Sequence, residues 1–263
     1  MSERLDRFLV EHGLAKSRER AKSLIKEGKV FVNGAAADKP SVIVSDEDKV
    51  SADVDMKYVG RGALKLIKAL DCFEICLQGC FCADLGASTG GFTQVMLERG
   101  ASKVYAVDVG HGQLDESLVS DSRVVNLEGV NVKDISDRQI PEKLPFVCAD
   151  LSFISLRNVI GAVAALLKND GKAVVLIKPQ FEAGRNALNK QGIVKDRKDH
   201  IRVICELIDA FHSVGLSITG LTFSPVRGGS GNIEYLALLE RTEKEAAVDV
   251  RKAVDQAFDE LRK

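Results

Sequence analysis

Asp84, the glycines at 86, 90 and 91, and Asp108 are the residues whose types and spacing first suggest chemistry. The stretch Asp84-Leu85-Gly86-Ala87-Ser88-Thr89-Gly90-Gly91-Phe92-Thr93 lies between an apolar run, Phe81 to Leu85, and the helical pattern of Gln94 to Arg99. A strand, a tight turn and a helix are expected there in succession. Glycines reach backbone angles that a β-carbon forbids, and they leave bare amide groups at a helix N-terminus, where a nucleotide-like ligand can come close. The spacing departs from the G-x-G-x-x-G of dinucleotide sites, whose second glycine admits a pyrophosphate, so NAD is disfavoured. Two carboxylates are already in place: Asp84 at the strand end, and Asp108 after the apolar run Val104 to Val107. They suit S-adenosylmethionine, whose sulfonium and amino groups are cationic, which has no phosphate to repel, and whose ribose hydroxyls an acid after the second strand can bind.

The elements that must hold these groups alternate along the chain. Apolar runs end at Leu85, Asp108, Leu127, Leu151 and Lys178, with helical patterns between most of them, and later strands are expected at Leu216 to Phe223 and Ile233 to Leu239. That alternation predicts an α/β fold built on a doubly wound parallel sheet, with the ligand beyond the carboxyl ends of the strands. Asp84, Asp108, Asp150 and Lys178 all stand at such ends. A helix beginning near Arg61 is expected to bury Leu64, Ile67 and Leu70, with Lys65 beside that face. Arg185 to Arg197 reads either as a mobile loop over the site or as a plain surface connection. Residues 242 to 262 read as a charged final helix in which Ala247, Val248, Val250, Val254 and Phe258 can pack.

The first fifty residues have a different texture. Leu5, Phe8 and Leu9 share a helical face behind a Ser2 cap, and Gly13 ends that element. Ser17 caps a second helix with Ala21, Leu24 and Ile25 inward, and Gly28 stops it. Lys29-Val30-Phe31-Val32-Asn33-Gly34 then reads as a strand entering an Asn-Gly turn. Val42 to Val44 and Val50 are expected to continue the sheet, with Asp46-Glu47-Asp48 as the turn between them. From Lys16 to Lys29 six basic residues face two acids, a local charge of +4 in a chain whose net charge is −1. A charge run of this kind is ordinarily a solvated helix face.

At 263 residues the chain has room for one small and one larger domain, and the boundary is placed in the linker Ala52 to Tyr58, giving units of 1–57 and 58–263. The near-neutral charge excludes a globally basic nucleic-acid binder but leaves a local basic face open. Neither a secretory leader nor a membrane-length apolar run is visible, so a cytoplasmic protein without a membrane partner is expected. The six cysteines lack the paired C-x-x-C spacing of zinc sites and read as reduced thiols. His12, His111, His200 and His212 are scattered, so no metal is expected and ordinary polar roles are assigned to them.

Two short helices followed by K-V-F-V-N-G, with Ser17-Arg18 opening the basic helix, resemble the small α+β RNA-binding domain shared by a ribosomal small-subunit protein, tyrosyl-tRNA synthetases and pseudouridine synthases. In that family the basic helix lies on the phosphates of structured RNA, which implies RNA binding by Arg18, Lys22, Lys26 and Lys29. A broader resemblance rests on Arg61-Gly62-Ala63-Leu64-Lys65-Leu66, the turn Asp84 to Phe92, Asp108 to Leu114, Ala149-Asp150-Leu151-Ser152-Phe153-Ile154-Ser155-Leu156, Lys178-Pro179-Gln180-Phe181-Glu182 and Gly231-Asn232-Ile233-Glu234-Tyr235. Together these are similar to the TlyA family, which joins that RNA-binding domain to a Rossmann-like, FtsJ-like methyltransferase and is often labelled hemolysin A.

The resemblance implies ribose 2′-O-methylation of ribosomal RNA, free or in ribosomal subunits, with cytidine the usual target. It implies a catalytic set of Lys65, Asp150, Lys178 and Glu234. The cofactor residues implied are Asp84, Gly86, Ala87, Ser88, Thr89, Gly90, Gly91, Phe92, Asp108, Val109, Asn131 and Asp150. Lys178 is the candidate base, provided it is neutral; the alternative is a charged Lys178 that stabilises an alkoxide. Gly60 stands where serine is frequent and Lys133 where arginine is common, which weakens Asn131 as an adenosine contact. Two other functions are weighed against this one: a membrane-lytic protein, as the hemolysin label suggests, and a non-catalytic ribosome-binding factor that keeps the fold.

Overall fold

The computed structural model describes residues 2–15, 17–45, 47–52, 58–228, 231–242 and 248–261. The chain divides into two compact units, residues 1–57 and 58–263. Lys16, Asp46, most of the expected linker and Ala247 lie outside the described residues.

In the first unit β1 (Ser2–Arg4) leads directly into α1 (Leu5–Glu11), followed by α2 (Arg18–Lys26), β2 (Val30–Val32), β3 (Ala35–Ala36), β4 (Ile43–Ser45) and β5 (Val50–Ala52). Ser17 does cap α2, its hydroxyl accepting from the Arg20 amide at 3.2 Å. The Ser2 cap is not found: residues 2–4 are extended and pair antiparallel with β4, so α1 starts at Leu5 with Arg4 at its N-cap. That pairing also takes β4 out of the sheet expected to run through it. The strands form two sheets, β1-β4 and β3-β2-β5, the latter turned by Asn33 (φ 52°) and Gly34 (φ 83°). Leu5 and Leu9 of α1 meet Ala21, Leu24 and Ile25 of α2 over Val30 and Val44.

The second unit opens with α3 (Ala63–Cys72), then β6 (Phe81–Leu85), α4 (Gly91–Glu98), β7 (Lys103–Asp108), α5 (Glu116–Val119), β8 (Val124–Glu128) and β9 (Leu144–Ala149). It continues with α6 (Ile160–Leu166), β10 (Leu167–Ile177), α7 (Pro179–Glu182), α8 (Arg197–His212), β11 (Ser217–Phe223), β12 (Tyr235–Glu240) and α9 (Val250–Glu260). One seven-stranded sheet results, ordered β11-β12-β10-β9-β6-β7-β8. The neighbours from β10 to β8 pair in parallel, but β12 runs antiparallel to both β10 and β11, so the sheet is mixed rather than parallel throughout.

Period-two alternation splits the core across the sheet's two faces. Val147, Ala149 and Val175 point to one hydrophobic cluster, Phe146, Cys148 and Val174 to the other. Helix α3 is rotated from its expected facing. Its buried residues are Ala63, Lys65, Leu66, Ala69 and Leu70, whereas Leu64 is 43% exposed. A lysine replaces a leucine on the inner face because that face meets carboxylates.

Candidate active site

The turn after β6 has the geometry its glycines permit. Gly86 and Gly90 have φ of 88° and 94°, and Ser88 joins them in the left-handed region at 48°. A β-carbon on Gly86 would lie 2.7 Å from the Asp150 carbonyl oxygen, and one on Gly91 3.1 Å from the Ala63 amide nitrogen. Bare backbone at these positions lets the start of α3 and the residue after β9 close on the turn, which is how Lys65 and Asp150 reach the same cavity.

That cavity, of about 580 Å3, is lined by Gly60 to Gly62, by Gly86, Ala87, Ser88, Thr89, Gly91 and Phe92, by Gln180, Phe181, Leu188, Gly192 and Asn232, and at its enclosed floor by Lys65, Asp150, Lys178 and Glu234. The volume lies within the ordinary range of small-molecule sites. Asp84, Gly90, Asp108, Val109 and Asn131 are not among its lining residues. Asp84 lies beneath the turn, fully enclosed, accepting from Thr93 Oγ1 at 2.7 Å. Burial drives its pKa up to about 7 despite that hydrogen bond. Asp108 accepts from the amides of Ser88 and Gly110, each at 2.8 Å, and so braces the turn from behind. Val109 is 64% exposed. Asn131 spends its carbonyl oxygen on the Lys133 amide at 3.0 Å, capping a short turn at Val132–Asp134 away from the cavity.

Four elements converge on the cavity floor. Lys65 comes from α3, Asp150 from the end of β9, Lys178 from the end of β10, and Glu234 from the residue before β12. Lys65 Nζ lies 2.7 Å from Glu234 Oε2 and 3.2 Å from Asp150 Oδ2. Lys178 Nζ lies 2.6 Å from Asp150 Oδ1 and donates to Ser152 Oγ at 2.9 Å. Asp150 thus has one lysine nitrogen beside each oxygen. Both lysine side chains are about nine-tenths enclosed. Burial works against charge on Lys65, but the carboxylates of Asp150 and Glu234 outweigh it and hold the pKa above the ordinary lysine value. Burial likewise disfavours the Asp150 carboxylate, and Lys65 and Lys178 reverse that effect, so its pKa falls below the usual range.

Sequence reasoning assigned no role to several side chains around this floor. Ser152 holds Lys178, and Gln180 Nε2 donates to Glu234 Oε1 at 3.3 Å. Gly228 is tight against that carboxylate, since a β-carbon there would strike Glu234 Oε1. Phe153 is 91% exposed at φ 63°, its ring 5.2 Å from Phe181 at the cavity edge. The signal available was adjacency: Ser152, Phe153 and Gln180 sit within three residues of Asp150 or Lys178.

The expected RNA-binding residues on α2 separate into two groups. Arg18 donates to Asp6 at 2.9 Å and Lys29 stands 3.6 Å from Glu27, whereas Lys22 and Lys26 are exposed and carry no ion pair among the described residues.

Comparison with known proteins gives the lineage. Residues 58–241 match the FtsJ-like methyltransferase family and residues 3–50 the S4 domain. The 16S/23S rRNA (cytidine-2′-O)-methyltransferase TlyA of Mycobacterium tuberculosis is 42% identical over 250 residues, covering 94% of this chain and 93% of that protein. The chain belongs to the TlyA family. Another TlyA-family relative, Hemolysin A of Brachyspira hyodysenteriae, is 40% identical over 89% of this chain and 98% of its own. A solved structure of a hemolysin candidate from Streptococcus thermophilus superposes with a TM-score of 0.80 at 39% identity, covering 99% of this chain and 97% of that one. Among the described residues of this TlyA-family chain, no helix is long and apolar enough to cross a membrane.

Proposed function

We propose that this protein methylates the 2′-hydroxyl of a cytidine ribose in ribosomal RNA, with S-adenosylmethionine as donor, and that Lys65, Asp150, Lys178 and Glu234 carry the chemistry. The observation behind the reading is the single carboxylate of Asp150, held between two enclosed lysines at 3.2 and 2.6 Å on the floor of the cavity. Cytidine and ribosomal RNA are carried over from the names of the relatives, and the S4 domain supplies a surface for structured RNA.

The glycine turn fits the donor: Gly86, left-handed at φ 88°, and Gly91 border the cavity with backbone alone, so no side chain occupies those two positions of the wall. When bound, S-adenosylmethionine supplies a methyl group made electrophilic by its sulfonium. The protein's task is to ready a poor nucleophile and align it. Lys178 faces the cavity with its nitrogen 2.6 Å from Asp150 Oδ1 and one N–H donated to Ser152 Oγ, which leaves the nitrogen's open side to the ribose hydroxyl. In this reading the Lys178 nitrogen accepts the 2′-hydroxyl proton on its lone pair. Held beside Lys178 and Lys65, the ribose oxygen would be placed to receive the donor's methyl group. Lys65, held charged by Asp150 and Glu234, stabilises the oxygen as negative charge develops on it. Glu234, itself held by Gln180, keeps Lys65 on station. The exposed ring of Phe153 offers a stacking surface for a base drawn out of its helix.

The test is methyl transfer from labelled S-adenosylmethionine to ribosomal RNA and to intact subunits, followed by nuclease digestion and mass spectrometry. The product expected is 2′-O-methylcytidine. A base-methylated nucleoside would overturn the assignment. Leakage of liposomes by the purified protein, with no methyl transfer to any ribosomal RNA, would favour the membrane-lytic alternative.

A further inference from the structure

We propose that residues 184–195 form a rigid cationic arm that grips the phosphates of the RNA strand on either side of the target nucleotide. The inference rests on the functional reading above, because it takes the cavity's substrate to be one residue of a polymer. A nucleotide that enters this cavity leaves its flanking phosphates at the rim, and the charge of that rim must suit them.

The segment Gly184-Arg185-Asn186-Ala187-Leu188-Asn189-Lys190-Gln191-Gly192-Ile193-Val194-Lys195 carries three cations and no acid, within a chain of net charge −1. Leu188 and Gly192 line the cavity, so the arm forms part of its wall. Arg185, Lys190 and Lys195 are all exposed, and none is paired with an acid among the described residues.

Neither sequence expectation for this stretch, a mobile loop or a plain connection, matches how it is built. Leu188 and Val194 bridge across it, and Asn189 Oδ1 accepts from the amides of Gln191 and Ile193, each at 2.9 Å, inside the turn they enclose. Gly192, at φ 74°, lets the turn close. Two buried side chains then clamp it from below. Asn232, 1% exposed, accepts from the Val194 amide at 3.1 Å and donates to the Gly192 carbonyl at 3.0 Å. The His200 ring, fully buried, bonds the Val194 carbonyl through Nε2 at 3.0 Å and meets the Tyr235 hydroxyl through Nδ1 at 2.8 Å. The carbonyl accepts only, so Nε2 carries the proton and Nδ1 accepts from Tyr235. Tyr235 directly follows Glu234, and Asn232 lies two residues before it. The short run that delivers Glu234 to the cavity floor therefore also holds the arm, which fixes the three cations relative to the reacting groups.

Spending two buried polar side chains on a surface turn makes sense when the turn's position matters. Charges on a pre-ordered arm bind phosphate without an ordering cost, and release condensed counterions when they do so.

The test is Arg185→Gln, Lys190→Gln and Lys195→Gln combined, in the full-length chain, measured by binding to purified ribosomal RNA across a salt series and by steady-state methyl transfer. The plot of log affinity against log salt should become shallower by about 2, at roughly 0.7 per phosphate contact on a single strand. KM for RNA should rise about tenfold or more, with kcat at saturating RNA within about twofold of wild type. S-adenosylmethionine affinity should not move. A control removes the cation just before β9 and two from the first six residues of β10, by Lys143→Gln, Lys168→Gln and Lys172→Gln, and should leave the slope nearly unchanged. An unchanged slope in the arm variant, or an equal loss in the control, would overturn the proposal. Absence of methyl transfer by the wild-type protein would instead sink the functional reading, and the salt slopes would still report on the arm.

Discussion

Asp6 in the first unit and Asp150 in the second are both carboxylates held between two cations. Asp6 is fully enclosed and pairs with Arg4 at 3.0 Å and Arg18 at 2.9 Å; Asp150 pairs with Lys65 at 3.2 Å and Lys178 at 2.6 Å. The hydrogen bond from Arg4, with Arg18 adding to it, overcomes burial and brings the Asp6 pKa down to about 2. Asp150 is lowered as well, burial being outweighed there by the two lysines. The difference lies in the partners. Arg4 and Arg18 side chains are 46% and 53% exposed, whereas those of Lys65 and Lys178 are 11% and 8% exposed. A guanidinium does not give up its proton in a protein, so Asp6 can only fasten α1 to α2. An enclosed amine can change protonation state, and its desolvation makes that change responsive to its neighbours. Equal carboxylates thus serve architecture in one unit and suit chemistry in the other, according to the type and burial of the bases beside them.

The largest effect expected comes from Asp150→Asn. With the shared carboxylate gone, nothing fixes the two lysine nitrogens relative to each other and to the ribose hydroxyl, and methyl transfer should fall by about three orders of magnitude, read as kcat under saturating RNA and donor. Circular dichroism should stay native. A loss of less than about tenfold would mean that Asp150 is as structural as Asp6.

Asp6→Asn should invert that pattern. Two arginines lose a buried partner, and the first unit should be destabilised by about 3 kcal/mol in urea unfolding, less than a wholly buried triad because the guanidiniums reach water. Transfer per folded molecule should change little. Acid titration adds a check on sign. A carboxylate lowered by folding stabilises above its unfolded pKa and loses that contribution as pH falls through its folded value, so the wild-type margin over Asp6→Asn should shrink from about pH 4 toward 2.

Asp84 should give an effect of opposite sign. Its folded pKa of about 7 lies above the unfolded value, so its contribution is fully present below about pH 4 and is lost as pH rises through 7. Asp84→Asn should flatten that decline, as measured by denaturant midpoints across the window. An unaltered slope would place the Asp84 titration elsewhere.

These pairs also mark what could be read from the residues alone. Asp150 and Lys178 were legible because parallel strands end there, and strand ends in such sheets face the ligand. Lys65 and Glu234 carry no local sign of their role; a lysine near a leucine stripe and a glutamate before a strand look like surface positions, and only their motifs set them apart. The Asp6–Arg18 pair joins residues on two helices with no shared period, so Arg18 reads as a free phosphate ligand until the helices are packed. β1 stayed hidden for a similar reason, since three extended residues that pair with a strand forty positions later continue a helical pattern when read locally. Asn131, chosen by motif, accepts from the backbone amide of Lys133 and is not among the residues lining the cavity. The clamp of the arm by Asn232 and His200 depends on partners separated by up to forty residues, and a scattered histidine gives no hint of it.

The most direct measurement is single-turnover methyl transfer to ribosomal RNA by Lys178→Ala, with S-adenosylmethionine affinity titrated by calorimetry in the same preparation. If Lys178 acts on the ribose hydroxyl and not on the donor, the chemical step should fall by about a hundredfold to ten-thousandfold while donor affinity stays within about threefold of wild type. A variant that transfers methyl groups at the wild-type rate, or one whose lost activity is accounted for by lost donor binding, would contradict the assignment of the two lysines and their shared carboxylate to catalysis.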